Sequence, residues 1–139
     1  MKNISLVMHN VLNSSRKRSE RNILLLFDMA KAFDTVNRPK LWQILLQRAK
    51  SDAEKLIVAQ IMRIHSQTEI FIDENESFIS NQGVPQGGVL SPYLFNVYLD
   101  DAIQNNATLK RLAESEHLLC FADDIIVRQN KLEDAKAVI

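Results

Sequence analysis

The stretch that most restricts how this chain can fold is His117-Leu118-Leu119-Cys120-Phe121-Ala122-Asp123-Asp124-Ile125-Ile126-Val127. Two short apolar runs, each suited to a strand, flank a pair of adjacent carboxylates. This predicts a β-hairpin with Asp123-Asp124 at its tip, since Asp tolerates turn geometry and the flanks are β-formers. Two like charges side by side repel, and an ordinary turn would do better with Asn-Gly or Asp-Gly. A divalent cation would relieve that repulsion, because Mg²⁺ takes hard oxygen ligands from one or two carboxylates. The stretch alone reads equally well as a solvated turn carrying two acids.

Taken in order, the chain alternates helical and strand patterns. Ile4, Val7, Met8, Val11 and Leu12 recur at helical spacing and predict an opening amphipathic helix, ended by the polar run from Asn13 to Asn22. Ile23 to Phe27 reads as a buried strand, too continuous for a one-sided surface strand, and Asp28 closes it. A carboxylate there needs a partner if it is buried. Asn37 is a good N-cap for a helix through Leu41, Trp42, Leu45 and Leu46, with Pro39 in its first turn. Ser51-Asp52-Ala53-Glu54 is a capping box for a second helix through Leu56, Ile57, Ile61, Met62 and Ile64.

Thr68–Asp73 and Ser77–Asn81 suggest two short strands joined by the polar turn Glu74-Asn75-Glu76. Gln82-Gly83-Val84-Pro85-Gln86-Gly87-Gly88 then holds all three glycines of the chain, which marks a loop where backbone approaches something closely. Ser91-Pro92 predicts an N-cap and first-turn proline for a helix through Tyr93, Leu94, Val97 and Tyr98. Asn105-Asn106 weakens that helix, and a short polar segment leads on to the hairpin. Leu132 to Ile139 looks like the start of a last helix.

Composition narrows the function classes. The 139 residues fit one domain, and 46% hydrophobic with 24% charged residues is an ordinary globular balance. Seventeen basic and seventeen acidic residues cancel, so no whole-chain charge argues for nucleic-acid binding. The single Cys120 forms no internal disulfide, and no apolar run has the length of a membrane span or a secretory signal. The expectation is an intracellular chain, nuclear or cytoplasmic and not secreted. Arg16-Lys17-Arg18, with Arg21 nearby, could be a nuclear address or a phosphate contact, but more often such a cluster is a solvated helix end. His9, His65 and His117 are scattered and, with one Cys, make no zinc site.

Three features stand in a telling order: Phe27-Asp28-Met29-Ala30-Lys31-Ala32-Phe33-Asp34, the stretch from Gln82 through Gly88 to Asn96, and Phe121-Ala122-Asp123-Asp124. Together they resemble the palm of a reverse transcriptase. The wording is closest to the non-LTR retrotransposon (LINE-like) enzymes, with group II intron reverse transcriptases next. The resemblance implies an α+β, polymerase palm-like fold, a small antiparallel sheet carrying the catalytic aspartates and packed on helices. It implies an RNA-directed DNA polymerase core that joins deoxynucleoside triphosphates to a primer 3′-hydroxyl, with an RNA template and a DNA primer as partners and two Mg²⁺ (or Mn²⁺) ions as cofactors. Asp28, Asp123 and Asp124 would be the catalytic carboxylates, and with the Met29 carbonyl they would be the metal ligands.

The same resemblance assigns nucleotide-binding roles to Lys31, Ala32, Phe33, Pro85, Gln86 and Gly87. Phe33 would be the aromatic gate that leaves no room for a 2′-hydroxyl, the group that distinguishes a ribonucleotide. RNA-dependent RNA polymerases typically carry an acid at that position and Gly before the two aspartates; Phe33 and Ala122 differ in the direction of DNA synthesis. Without the resemblance, Phe33 is a plain core aromatic and the glycine loop a tight turn. Tyr98-Leu99-Asp100-Asp101 imitates the hairpin signature but lies in a helical pattern with no second strand after it, and reads as a helix face.

The resemblance also implies that residues 1–139 form a single partial reverse transcriptase domain: the palm, a little of the fingers and no thumb. Two alternatives stay open: a non-catalytic palm remnant that binds nucleic acid, and a fragment of an intron maturase-type enzyme. The expected fragment would lack processive activity by itself. Oligomeric state has no signal in the sequence.

Overall fold

The computed structural model of the chain describes residues 23–66, 69–71, 73 and 76–136. The expected opening helix and the basic cluster at Arg16-Lys17-Arg18 lie outside the described residues. By internal packing the chain falls into two compact units, residues 1–29 with 103–139, and residues 30–102.

The first unit is built on a three-stranded antiparallel sheet in the order β1 (Ile23–Asp28), β5 (Asp124–Gln129), β4 (Leu118–Phe121). Register decides which row of side chains is buried, since a slip of one residue would turn every side chain to the other face. Leu25, Val127 and Leu118 form one row across the three strands, with Val127 at 1% and Leu118 at 8% exposure. Burying two such side chains contributes roughly 1.5–3 kcal/mol each. Helix α4 (Ala107–Glu114) packs on β4, and α5 (Leu132–Lys136) on β5 and β1, adding buried Leu112 and Ala135 to this core.

The next row, Leu26, Ile126 and Leu119, belongs to the opposite face, and Leu26 is 75% exposed. The expectation of a fully buried strand is therefore corrected. β1 is an edge strand in this sheet and its apolar run is covered on one face among the described residues. A second correction concerns the hairpin. Phe121 pairs with Asp124, so the two turn residues are Ala122 and Asp123, one position earlier than expected. The shift follows from the strand register, which pairs Asp124 with Asp28 and so makes it a strand residue. Ala122 takes the left-handed conformation, φ 51°, which costs a residue with a Cβ roughly 1–2 kcal/mol.

The second unit joins α1 (Arg38–Arg48), α2 (Asp52–Ser66), the hairpin β2 (Glu69–Phe71) and β3 (Ser77–Ile79), and the body of α3 (Ser91–Gln104). Asn37 caps α1, its side chain accepting from the Lys40 amide at 2.9 Å, and Pro39 stands in the first turn. The capping box of α2 forms with one variation. Ser51 accepts from the Glu54 amide at 3.2 Å, while Glu54 reaches back to the amide of Lys50 at 2.6 Å. Leu41, Ile44 and Leu45 of α1 and Leu94, Phe95 and Val97 of α3 are buried, as are Val36, Val58 and Val84.

Asp100 and Asp101 lie within α3 and face cations, Arg48 at 2.7 Å and Lys40 at 3.6 Å. Exposed pairs of this kind contribute about 1 kcal/mol or less each. Ser91 departs from its expected role as a cap. Its hydroxyl donates to the Pro85 carbonyl at 2.5 Å, and the first turn opens instead with the Leu94 amide on the carbonyl of Leu90.

Candidate active site

In the first unit the candidate carboxylates share one end of the sheet. Asp28 closes β1 and is the direct cross-strand partner of Asp124, which opens β5. Directly opposed residues of an antiparallel pair present their side chains to the same face, with Cβ atoms about 4.5–5.5 Å apart. Both residues are exposed, and Asp123 precedes Asp124 as the second turn residue, half-buried. Its carbonyl accepts from the Met29 amide at 3.4 Å, which ties the chain leaving β1 to the hairpin turn. Strand register thus sets Asp28 opposite Asp124, and one backbone hydrogen bond joins Met29 to Asp123.

The donor set is all oxygen, hard and anionic, which suits Mg²⁺ or Mn²⁺ and not a soft metal. Among the described residues no three His, Cys, Asp or Glu side chains are gathered tightly enough to form a complete cage. Mg²⁺ does not demand one, since it is commonly held by one or two carboxylates together with water and substrate phosphate. Asp28 and Asp124, opposed across the two strands with Asp123 in the adjoining turn, supply oxygen donors of that kind. Cys120 lies on β4 opposite Ile125, and burial pushes its thiol pKa up. His117, preceding β4, is pushed down by burial and by the Arg128 charge.

The second unit holds the candidate nucleotide-binding residues on two hydrogen-bonded segments. Residues 31–35 make a tight turn, with the Thr35 amide on the Lys31 carbonyl at 3.0 Å and the Thr35 hydroxyl on Ala32 at 3.1 Å. Lys31 is exposed at φ 54°, Ala32 is buried, and Phe33 is half-buried with its ring on Phe95, centroids 5.0 Å apart. The glycine loop lies along this turn. The Val84 amide donates to the Phe33 carbonyl and the Gly83 amide to the Val36 carbonyl, each at 2.8 Å. Gly83 has φ 78°, and a Cβ there would stand 2.8 Å from the Asp34 backbone, so only glycine permits this approach.

Beyond it, Pro85 is half-buried while Gln86 and Gly87 are exposed at the loop tip, where Gly87 has φ 80°. The Pro85 carbonyl accepts from both the Gly88 amide, at 3.2 Å, and the Ser91 hydroxyl, which winds the loop into α3. An open, mainly apolar pocket of about 260 Å³ lies between this loop and the end of α2, lined by Ile64, His65, Pro85, Gly88, Val89, Leu90 and Ser91.

Sequence reasoning missed Arg38. It is 5% exposed and donates from Nε to the Gly83 carbonyl at 2.5 Å, and from Nη1 to the His65 carbonyl at 2.8 Å and to that of Ser80. Burial pushes its pKa down, yet a guanidinium remains charged at any ordinary pH. The only available signal was an arginine directly after a helix cap, which reads as a surface residue.

Comparison with known proteins agrees with the order of these segments. The model of the family "Reverse transcriptase (RNA-dependent DNA polymerase)" matches residues 2–139. Two proteins from Popillia japonica, each a "Retrovirus-related Pol polyprotein from type-1 retrotransposable element R2", are similar. One is 30% identical over 93% of this chain and 22% of its own length, the other 25% over 91% and 19%. A "Putative COX1/OXI3 intron 2 protein" of Saccharomyces cerevisiae is 30% identical over 57% of this chain and 9% of its own length. The chain therefore spans about a fifth or less of the curated relatives it matches. With a family model that runs through all three motif segments, the chain belongs to the reverse transcriptase (RNA-dependent DNA polymerase) family.

Proposed function

We propose that this chain is the palm, with a little of the fingers, of an RNA-directed DNA polymerase. Its reaction is the in-line attack of a primer 3′-hydroxyl on the α-phosphate of a deoxynucleoside triphosphate, directed by an RNA template. The observation that carries the reading is the register pairing Asp28 with Asp124, with Asp123 in the adjoining turn. Bound divalent ions, Mg²⁺ or Mn²⁺, would lower the pKa of the attacking hydroxyl and stabilise the leaving oxygen.

The protein's own part is to hold charge and shape. Asp28, Asp123 and Asp124 concentrate negative charge at one sheet end, and the Met29 carbonyl adds a neutral oxygen beside it. The turn at Lys31, which is exposed, and Ala32, which is buried, offers backbone amides to the triphosphate, and the Phe33 ring excludes a 2′-hydroxyl by volume. Pro85 and Gly87 shape the loop that carries Gln86 to the nucleotide. No described helix is long and apolar enough to cross a membrane.

Two measurements test this. Titrating the chain with Mn²⁺ should broaden the NMR signals of Asp28, Asp123 and Asp124 together, and Asp28→Asn should abolish the effect. Broadening centred on Asp100 and Asp101 would overturn the site assignment. Primer extension on RNA by the complete polypeptide, lost in Asp123→Asn, tests the activity; the chain by itself should give no processive extension. A complete polypeptide that binds RNA but never extends a primer would favour the non-catalytic remnant.

A further inference from the structure

We infer that Arg38 is a positioning residue for nucleotide binding, a latch that fixes the glycine loop against the turn carrying Phe33. The inference rests on the polymerase reading for what the loop does, and on the geometry of the second unit for how the loop is held.

The geometry has three parts. Arg38 is buried at the start of α1 and donates to the carbonyls of Gly83, Ser80 and His65. A cation at a helix N-terminus meets the unfavourable end of that helix dipole, so something else must hold it there. The His65 carbonyl supplies part of the answer. It belongs to the last turn of α2, where orphan carbonyls and a negative dipole end favour a cation. The remaining donors go to Ser80 and Gly83, on either side of Gln82, at the entry to the loop.

From the other side, the Gly83 and Val84 amides are held by the carbonyls of Val36 and Phe33, and Gln82 donates to the Thr35 carbonyl at 3.4 Å. Gly83 is thus bonded through both its amide and its carbonyl, and both bonds lead to the segment 33–38. Pro85, Gln86 and Gly87 follow immediately. A shift of the latch moves the loop tip relative to Phe33 without touching a carboxylate. Lysine cannot replace the fork, because a single ammonium has no Nε donor and no fixed angle between donors.

Two variants and two readouts test the latch. In this chain, hydrogen exchange should show the Gly83 and Val84 amides protected, and Arg38→Lys should expose them while α1 amides through Leu45 keep their protection. In the complete polypeptide, Arg38→Lys should raise the KM for deoxynucleoside triphosphate on the order of tenfold to a hundredfold, the scale set by small misplacements of a binding group. The KM for template–primer should stay the same. Gly83→Ala, which strains the same contact from the Asp34 side, should produce the same KM signature.

Unchanged exchange at Gly83 and Val84 overturns the latch. So does a fall in active enzyme with both KM values unchanged, the mark of a residue that serves stability alone. Absence of extension by the unaltered polypeptide overturns the polymerase reading and with it the nucleotide half of this inference, while the exchange experiment still decides whether Arg38 holds the loop.

Discussion

Phe33 is where a functional side chain and a core side chain compete for the same description. Its ring is tilted 33° on Phe95, which is itself 1% exposed, yet Phe33 remains half-buried. A gate needs both properties, a ring fixed by packing and an edge left open to the sugar. If it is the gate, Phe33→Ala in the complete polypeptide should raise ribonucleotide over deoxyribonucleotide incorporation by roughly ten- to a hundredfold. If it is only core, the substitution should cost about 3–5 kcal/mol and reduce activity with both sugars equally. The ratio of incorporation efficiencies decides between them. At this scale Asp28, Asp123, Asp124 and Phe33 stand out as candidates because their types and spacing are unusual together. Arg38 was not, because a basic residue beside a helix cap looks solvated until three carbonyls from distant segments are seen to meet it.

At the scale of elements, the sequence was read well where local chemistry acts alone. Asn37 and Ser51 cap α1 and α2 as expected, each with its hydrogen bond. The family's small antiparallel sheet packed with helices was expected and is present. Helix α4 was missed. In the sequence Asn105-Asn106 reads as the decay of one helix, whereas the Asn106 side chain accepts from the amides of Thr108 and Leu109, both at 3.0 Å, and starts the next. Asn serves as terminator and as cap, and only the buried Leu112 four residues after Thr108 hints at which. Asn106→Ala should therefore lower stability by about 1 kcal/mol, seen as a lower denaturant midpoint with unchanged slope. The hairpin tip was misplaced for a different reason. Its position is set by pairing with β1, a long-range partner that no local propensity reports.

For the whole molecule, the two units differ in how much chain must be gathered before each can close. Residues 30–102 are continuous, whereas the other unit joins residues 1–29 to 103–139. Pairing β1 with β5 closes a loop of about a hundred residues, and such contacts form late because loop entropy is spent before they reward it. Pulse-labelling hydrogen exchange during refolding should therefore protect α1 and α2 amides before those of β1 and β5. Simultaneous protection would show that the units fold as one. During synthesis the same separation acts as a delay. At about 5–20 residues per second, the apolar run Ile23-Leu24-Leu25-Leu26-Phe27 leaves the ribosome roughly 5–20 seconds before its partner strand exists. For that interval the future three-stranded sheet is a lone sticky segment, and the nascent chain is a client for whatever chaperone reaches it first.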